Sequence, residues 1–318
     1  MEVSPICFGT WQLGGEWGAV DRERATAAIG AARELGIDFF DTAQAYGFGR
    51  SERLLAEALG DELRGSARDA LTIATKGGLR PVDGGVERDC SPDFLRAGCE
   101  ASLDALGIDR IDLYQLHWPD PATPLAETGA ALAALRDEGL IAHVGVSNFD
   151  AEQLAELSQT IPVETLQPPY HLFEREIEDS TLPWCRDHDV GVLAYGPLAH
   201  GMLTGAIERA TEFAADDWRS QSPMFSEPAL TGNLAIVRQL ARVADDLGVT
   251  VAQLAIAWVL DNPAVQVAIV GSRNAEHIAA AVAATELTLD AAARERIEEI
   301  AAGAIGAPGP SPEGNRRE

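Results

Sequence analysis

Along nearly the whole chain, short apolar runs alternate with helical patterns about a dozen residues long, which points to a parallel sheet built from βα units. The runs at residues 6–8, 38–41, 71–75, 111–116, 142–146, 165–167, 190–194 and 267–270 read as strands. Each is short and apolar, as a strand covered on both faces must be. Residues 22–35, 51–59, 92–106, 125–138, 151–158, 178–187, 233–247 and 275–284 carry apolar side chains three and four apart and read as crossover helices. Two further helices are expected at 251–260 and 290–302, with Thr250 and Asp290 as N-caps, while Gly36, Gly60, Gly107 and Gly139 stand where helices should stop. Eight strand–helix pairs favour an α/β fold of the closed (β/α)8 TIM-barrel type with extra helices, one domain over residues 1–302. An open nucleotide-binding sheet would show a glycine-rich phosphate turn. No G-x-G-x-x-G occurs, and Gly47-Phe48-Gly49 continues as Arg50-Ser51-Glu52 without directly following a strand.

In a barrel, chemistry gathers where strands end and loops begin. Asp41 ends the second predicted strand with Tyr46 five residues on, Lys76 ends the third, and His117 ends the fourth in Leu-His-Trp-Pro-Asp. Lys76 is the only lysine among 24 basic residues. A buried ammonium shifts its pKa readily and tunes its neighbours, whereas a guanidinium stays charged. Taken singly, a loop cap, a packing aromatic, a core histidine and an arginine-biased genome account for Asp41, Tyr46, His117 and the lone lysine. Their convergence on one rim points to chemistry: a close ammonium stabilises tyrosinate, a carboxylate holds the ammonium, and together they make a tuned proton donor.

The formal charge of −26 argues against nucleic acid, whose phosphates need concentrated positive charge. Four cysteines (Cys7, Cys90, Cys99 and Cys185) are scattered without C-x-x-C, and six histidines show no H-E-x-x-H, so neither a disulfide framework nor a metal site is expected. Cys7 reads as a small core hydrophobe. No uncharged apolar stretch approaches the roughly 18 residues of a membrane span, and Met1-Glu2 leads at once into a strand-like run, so a cytoplasmic protein without a membrane partner is expected.

The candidate residues sit in longer motifs: Phe8-Gly9-Thr10-Trp11, Asp41-Thr42-Ala43 with Tyr46-Gly47, Thr75-Lys76, Leu116-His117-Trp118, Gly145-Val146-Ser147-Asn148-Phe149 and Gly271-Ser272-Arg273. In these the chain resembles the aldo-keto reductase family over nearly its whole length, and the run from Gln167 to Glu176 is similar to the family's bacterial general stress members. The resemblance implies a barrel that binds NADPH at its mouth and passes hydride to a small-molecule aldehyde or ketone, as a monomer or weak homo-oligomer. It implies Tyr46 as general acid, Lys76 and Asp41 as its tuning pair, and His117 as the group that orients the carbonyl oxygen. Trp11 and Trp118 would flank the substrate together with Tyr46 and His117, and either tryptophan is equally compatible with a packing role.

For the cofactor, the resemblance implies Gly9, Thr10, Trp11 and Asp41 along one side, with Ser147, Asn148 and Gln167 on the carboxamide and Tyr195 stacked on the nicotinamide. The pyrophosphate would follow Gly196, Pro197, Leu198, Gly201 and Leu203 through backbone N–H groups, and Gly271, Ser272, Arg273 and His277 would meet the 2′-phosphate end. Ser147-Asn148 is also compatible with a helix N-cap, Tyr195 with a core position and Arg273 with a solvated surface. The chain departs from the family at Ala206, where a lysine is common, at His277, usually a glutamine, and at Ala280-Ala281, usually Glu-Asn. It also leaves little of the family's N-terminal hairpin ahead of the first strand. The loop from 196 to 227, with few apolar anchors, is expected to close over cofactor, and 303–318 is expected to be a flexible tail.

Two other classes of function remain open: an NADPH-binding regulatory or sensor subunit with slow turnover, and an unrelated metal-dependent barrel. The second would carry His and Asp clusters at strand ends, which are missing from the sequence. Acidity with a single lysine also suggests salt adaptation, since molar salt shortens the Debye length to about 3 Å and screens self-repulsion. Thermal unfolding followed from low to molar salt is expected to show rising stability, and a flat profile would remove the salt reading.

Overall fold

The computed structural model describes residues 1–15, 20–83, 85–214 and 217–307. Among the described residues ten strands occur in chain order: β1 (Ile6–Gly9), β2 (Phe39–Asp41), β3 (Thr72–Gly77), β4 (Leu79–Val82), β5 (Gly85–Arg88), β6 (Ile111–Leu116), β7 (Ile141–Ser147), β8 (Thr165–Gln167), β9 (Gly191–Tyr195) and β10 (Val267–Val270). Eight of them close into a parallel barrel, with β10 pairing back onto β1, and β4 and β5 form a separate antiparallel hairpin. The helices are α1 (Arg22–Glu34), α2 (Arg50–Leu59), α3 (Pro92–Leu106), α4 (Leu125–Asp137), α5 (Ala151–Leu157), α6 (Thr181–Asp187), α7 (Ala229–Leu247), α8 (Val251–Asp261), α9 (Ala275–Ala283) and α10 (Ala291–Ala301). Among the described residues, no single helix is long and apolar enough to cross a membrane.

Successive side chains of a strand point to opposite faces, and the core divides accordingly. Cys7, Phe39, Ala74, Leu113, Leu193, Val267 and Ile269 pack on one another as the barrel's inner filling, with Val3 against them. The alternate residues, among them Phe8, Phe40, Ile73, Tyr114, Val146 and Val192, join the larger core shared with the helices. Thr250 caps α8 in a reciprocal box with Gln253, and Asp290 accepts from the Ala293 N–H at the start of α10. Gly36, Gly60, Gly107 and Gly139 all have positive φ at helix ends.

The structure departs from the sequence expectation in five places. The β4–β5 hairpin was not anticipated; the available turn signal was the Asp83-Gly84-Gly85 run of the sequence. Helix α6 starts at Thr181 because Glu176–Glu178 forms a 3₁₀ turn, where Glu178 binds Arg175 and the Tyr170 hydroxyl. Helix α7 starts at Ala229, where burial of Ala229 and Leu230 offsets the helix penalty of Gly232. The 196–227 loop is anchored after all, since Ala199, Met202, Leu203, Met224 and Phe225 are buried. At the C-terminus, Ile305 is hydrogen-bonded to Asn233 and Ala307 is buried, so the expected flexible tail is docked through Ala307. Residues 308–318 of that tail lie outside the described residues.

Candidate active site

On five of the eight barrel strands, alternation lifts a side chain into the layer above the apolar filling. Asp41 stands two residues beyond Phe39, Lys76 beyond Ala74, Gln115 beyond Leu113, Gln167 beyond Thr165 and Tyr195 beyond Leu193. Strand register levels them, pairing Lys76 with Gln115 and Ser147 with Gln167. Lys76 Nζ lies 2.5 Å from Asp41 Oδ1 and donates to the Thr42 carbonyl at 2.9 Å. Asp41 Oδ2 accepts from Gln115 Nε2 at 3.1 Å and from Gln167 Nε2 at 2.9 Å, and Gln167 also donates to Gln115 Oε1 at 3.2 Å. The Lys76 and Asp41 side chains are 0% and 3% exposed. Gln115 escaped the sequence reading. Its signal was a polar residue on the inward alternation of an apolar strand, two positions before His117.

Lys76 Nζ is also 3.5 Å from Tyr46 Oη. Tyr46 is delivered by a tight turn that needs glycine next to it: Gly47 has φ 61°, and a Cβ there would lie 2.3 Å from the Gly14 carbonyl oxygen. The His117 ring meets the Tyr46 ring edge-on, with centroids 5.6 Å apart. Burial, reinforced by the Lys76 ammonium, holds the His117 pKa well below its ordinary value, so the imidazole is neutral at pH 7. Its Nδ1 is buried and has no hydrogen-bond partner among the described residues. The structure therefore brings together all four side chains singled out in the sequence.

Aromatic rings border this group. Trp11 stacks towards Tyr46 at 6.4 Å and towards Trp218 at 6.3 Å between centroids. Trp218 opens a short 3₁₀ turn, Trp218–Gln221, within the long connection after β9, where no periodicity marks it. Trp118 packs beneath the Arg88 guanidinium at 5.0 Å, and Arg88 donates to the Pro119 carbonyl, so that tryptophan is pinned by the β4–β5 hairpin.

On the other side of the mouth, Asn148 adopts φ 63°. Its Nδ2 donates to the His117 carbonyl at 3.0 Å, and its Oδ1 accepts from the Tyr195 hydroxyl at 3.0 Å. Ser147 Oγ donates to the Gln167 carbonyl at 2.7 Å. At the β1–β10 rim, Gly9 and Gly271 approach so closely that a Cβ on Gly271 would lie 2.9 Å from the Gly9 carbonyl oxygen. Grouped amides and a hydroxyl beside an aromatic ring, next to a rim without side chains, fit a nicotinamide and its ribose.

Other expected cofactor residues are engaged within the protein. Thr10 is buried, with its N–H and hydroxyl both on the Asp41 carbonyl and its Oγ1 accepting from Ser51. Its side chain thus ties β1 to β2 instead of facing the mouth. The Gly201 and Leu203 N–H groups are donated to the Leu198 carbonyl, so these two close the turn that was expected to offer them to a pyrophosphate. Gly196 enters that turn with φ 68°, followed by Pro197 and by Ala199 and His200, also at positive φ. Arg219, bound to Asp217, donates to the His200 carbonyl at 3.2 Å and brings a cation to the turn where Ala206 lacks one. Ser272 Oγ accepts from the Asn274 N–H at 3.0 Å and lies 3.3 Å from His277 Nδ1, while Arg273 follows β10 half-buried.

The model of the aldo/keto reductase family matches residues 5–302. The chain belongs to the aldo-keto reductase family. It is 38% identical to the aldo-keto reductase YhdN of Bacillus subtilis over 97% of this chain and 93% of that one. An NADH-specific methylglyoxal reductase of Escherichia coli is 31% identical, over 94% and 95% of the two chains. Among solved structures, a glycerol dehydrogenase from Gluconobacter oxydans superposes with a TM-score of 0.87 at 36% identity, covering 97% of this chain and 95% of that one. Family and fold agree with the closed barrel, and the chain is an oxidoreductase of this class. The four cysteines are free and buried, and burial pushes the Cys90, Cys99 and Cys185 thiols up to about 12, which leaves them inert as nucleophiles.

Replacing Lys76 by methionine leaves the Asp41 carboxylate buried without its counter-ion, and urea unfolding should show a loss of about 3–5 kcal/mol. Most of that loss should return in the Asp41→Asn/Lys76→Met double variant. Burial lowers the His200 pKa to about 3, ahead of smaller effects of His171 and Arg219. Below pH 6.5 the unfolded chain takes up a proton that folded His200 refuses, so its contribution falls with pH by about 1.4 kcal/mol per unit until near pH 3. Unfolding curves between pH 7 and 4 should therefore decline less steeply for His200→Gln than for the wild type.

Proposed function

We propose that the protein reduces the carbonyl of an aldehyde or ketone with NADPH, and that Tyr46 is the general acid. The observation that carries this reading is the contact of Lys76 Nζ with Tyr46 Oη, made while the same ammonium is fixed by Asp41 and the Thr42 carbonyl. Reduction builds negative charge on the carbonyl oxygen. A phenol donates its proton there as the charge develops, and the ammonium beside it stabilises the negative charge left on Oη. His117, neutral and edge-on to the phenol, is suited to hydrogen-bond the same oxygen without bringing a competing full charge. Asp41, held by Gln115 and Gln167, keeps the ammonium from drifting. When bound, the nicotinamide supplies the hydride.

Ser147 and Asn148 would meet the carboxamide, with Tyr195 against the ring and Gly9 and Gly271 making room along the rim. Arg273 supports NADPH over NADH, because a guanidinium forks onto a 2′-phosphate. Arg219, ion-paired with Asp217, would place a guanidinium near the pyrophosphate turn without adding net charge.

Cofactor oxidation followed with a panel of aldehydes should show Tyr46→Phe losing about 10²–10⁴-fold in kcat/KM, with NADPH binding retained. Wild-type rates in that variant would rule out Tyr46 as the acid. Arg273→Ala should weaken NADPH binding and leave NADH binding near its starting value, and equal losses for both cofactors would remove the 2′-phosphate assignment.

A further inference from the structure

Asn233 lies in the second turn of α7, fully buried, and its amide reaches the chain beyond α10. Its Oδ1 accepts from the Ile305 N–H at 3.0 Å and its Nδ2 donates to the Ile305 carbonyl at 2.9 Å, so one side chain pairs both backbone groups of that residue. The same Nδ2 lies 3.5 Å from the Met224 carbonyl. Gly306 presses on the loop after β8, where a Cβ would stand 1.9 Å from the Phe173 carbonyl oxygen. The segment 304–307 therefore touches one loop that reaches the mouth and is linked to a second through Asn233. One carries His171, whose ring meets that of His200 at 6.0 Å. The other carries Trp218, facing Trp11, and Arg219, bonded to the His200 carbonyl. Phe225 supports Trp218 edge-on from within the same loop.

We propose that Asn233 is a positioning residue: by clasping Ile305 and Met224 it ties the C-terminal segment to the 217–225 wall and sets how firmly that wall stands over the mouth. The physical basis is a buried amide matched to a peptide unit. Without it, water would take over the N–H and carbonyl of Ile305, which is already half-exposed, and nothing on α7 would hold the segment down. The Met224 carbonyl would lose its Asn233 contact at the same time, and the wall would join the low-stability part of the fold. The consequence for a bound nicotinamide cofactor, faster release, rests on the reductase reading above; the coupling of segment to wall does not.

Two independent variants test this. Asn233→Ala removes the clasp, and Gly306→Ala puts a methyl where the Phe173 carbonyl leaves no room. Amide hydrogen exchange on the ligand-free protein, read by mass spectrometry, should be about ten-fold faster at 217–225 in both, with the barrel strands unchanged. Stopped-flow displacement should then show NADPH leaving about ten-fold faster, with KM for the carbonyl raised and kcat not lowered. A purely structural role would lower Tm and leave release and KM where they were. Unchanged exchange at 217–225 in both variants overturns the coupling, and faster exchange with unaltered release overturns the positioning role. If the wild type takes up neither NADPH nor NADH, the reading of function fails, while the exchange comparison still decides the coupling.

Discussion

One ammonium and one carboxylate share the inside of the barrel, and the mouth is arranged around them. Either charge alone in that layer would cost several kcal/mol, and the pair is tolerable because its remaining polar capacity is used. Lys76 also meets the Thr42 carbonyl and Tyr46, while Asp41 also meets two glutamine amides. These partners come from β2, β3, β6 and β8 and the turn after β2, so the network exists only when those strands stand in the observed register. A slip of one residue in β3 would send Lys76 into the helix-facing core and bring Thr75 inward.

The same enclosure governs the other titratable groups. His117 and His200 are held neutral by burial, and the cysteines are held protonated. In a chain with a formal charge of −26, the sole lysine is thus kept where water and counter-ions are excluded and its field is least screened. Strained backbone clusters at the same end of the barrel. Of the five described non-glycine residues with positive φ, Phe48, Asn148, Ala199 and His200 each lie in or beside a segment that shapes the mouth, and Asp189, ahead of β9, is the exception. Asn148 shows how such a conformation is maintained, since its amide is gripped by both the His117 carbonyl and the Tyr195 hydroxyl.

The barrel was legible because its signals are local. Strands 111–116, 165–167 and 267–270 were read with their true ends, since apolar runs bounded by polar residues are complete within a few positions. Asp41, Lys76 and His117 could be placed on one rim from their positions at strand ends alone. The hairpin after Lys76, the early start of α7 and the docking of residues 304–307 were not legible, because each depends on a contact supplied by a distant part of the chain. Asn233 and Ile305 are 72 residues apart and carry no mutual mark in the sequence.

By itself, then, the sequence determined a (β/α)8 barrel and the carboxylate, phenol, ammonium and imidazole at its mouth, because periodicity and strand-end position follow from backbone geometry that every residue carries. The tertiary structure alone decided that Gln115 and Gln167 complete the shell of Asp41, that Thr10 ties two strands together, that the turn at 198–203 spends N–H groups on itself, and that Trp218 stands beside Trp11. The reason is physical: hydrogen-bond partners and ring contacts are chosen by which groups are left unsatisfied once the strands close and water is expelled.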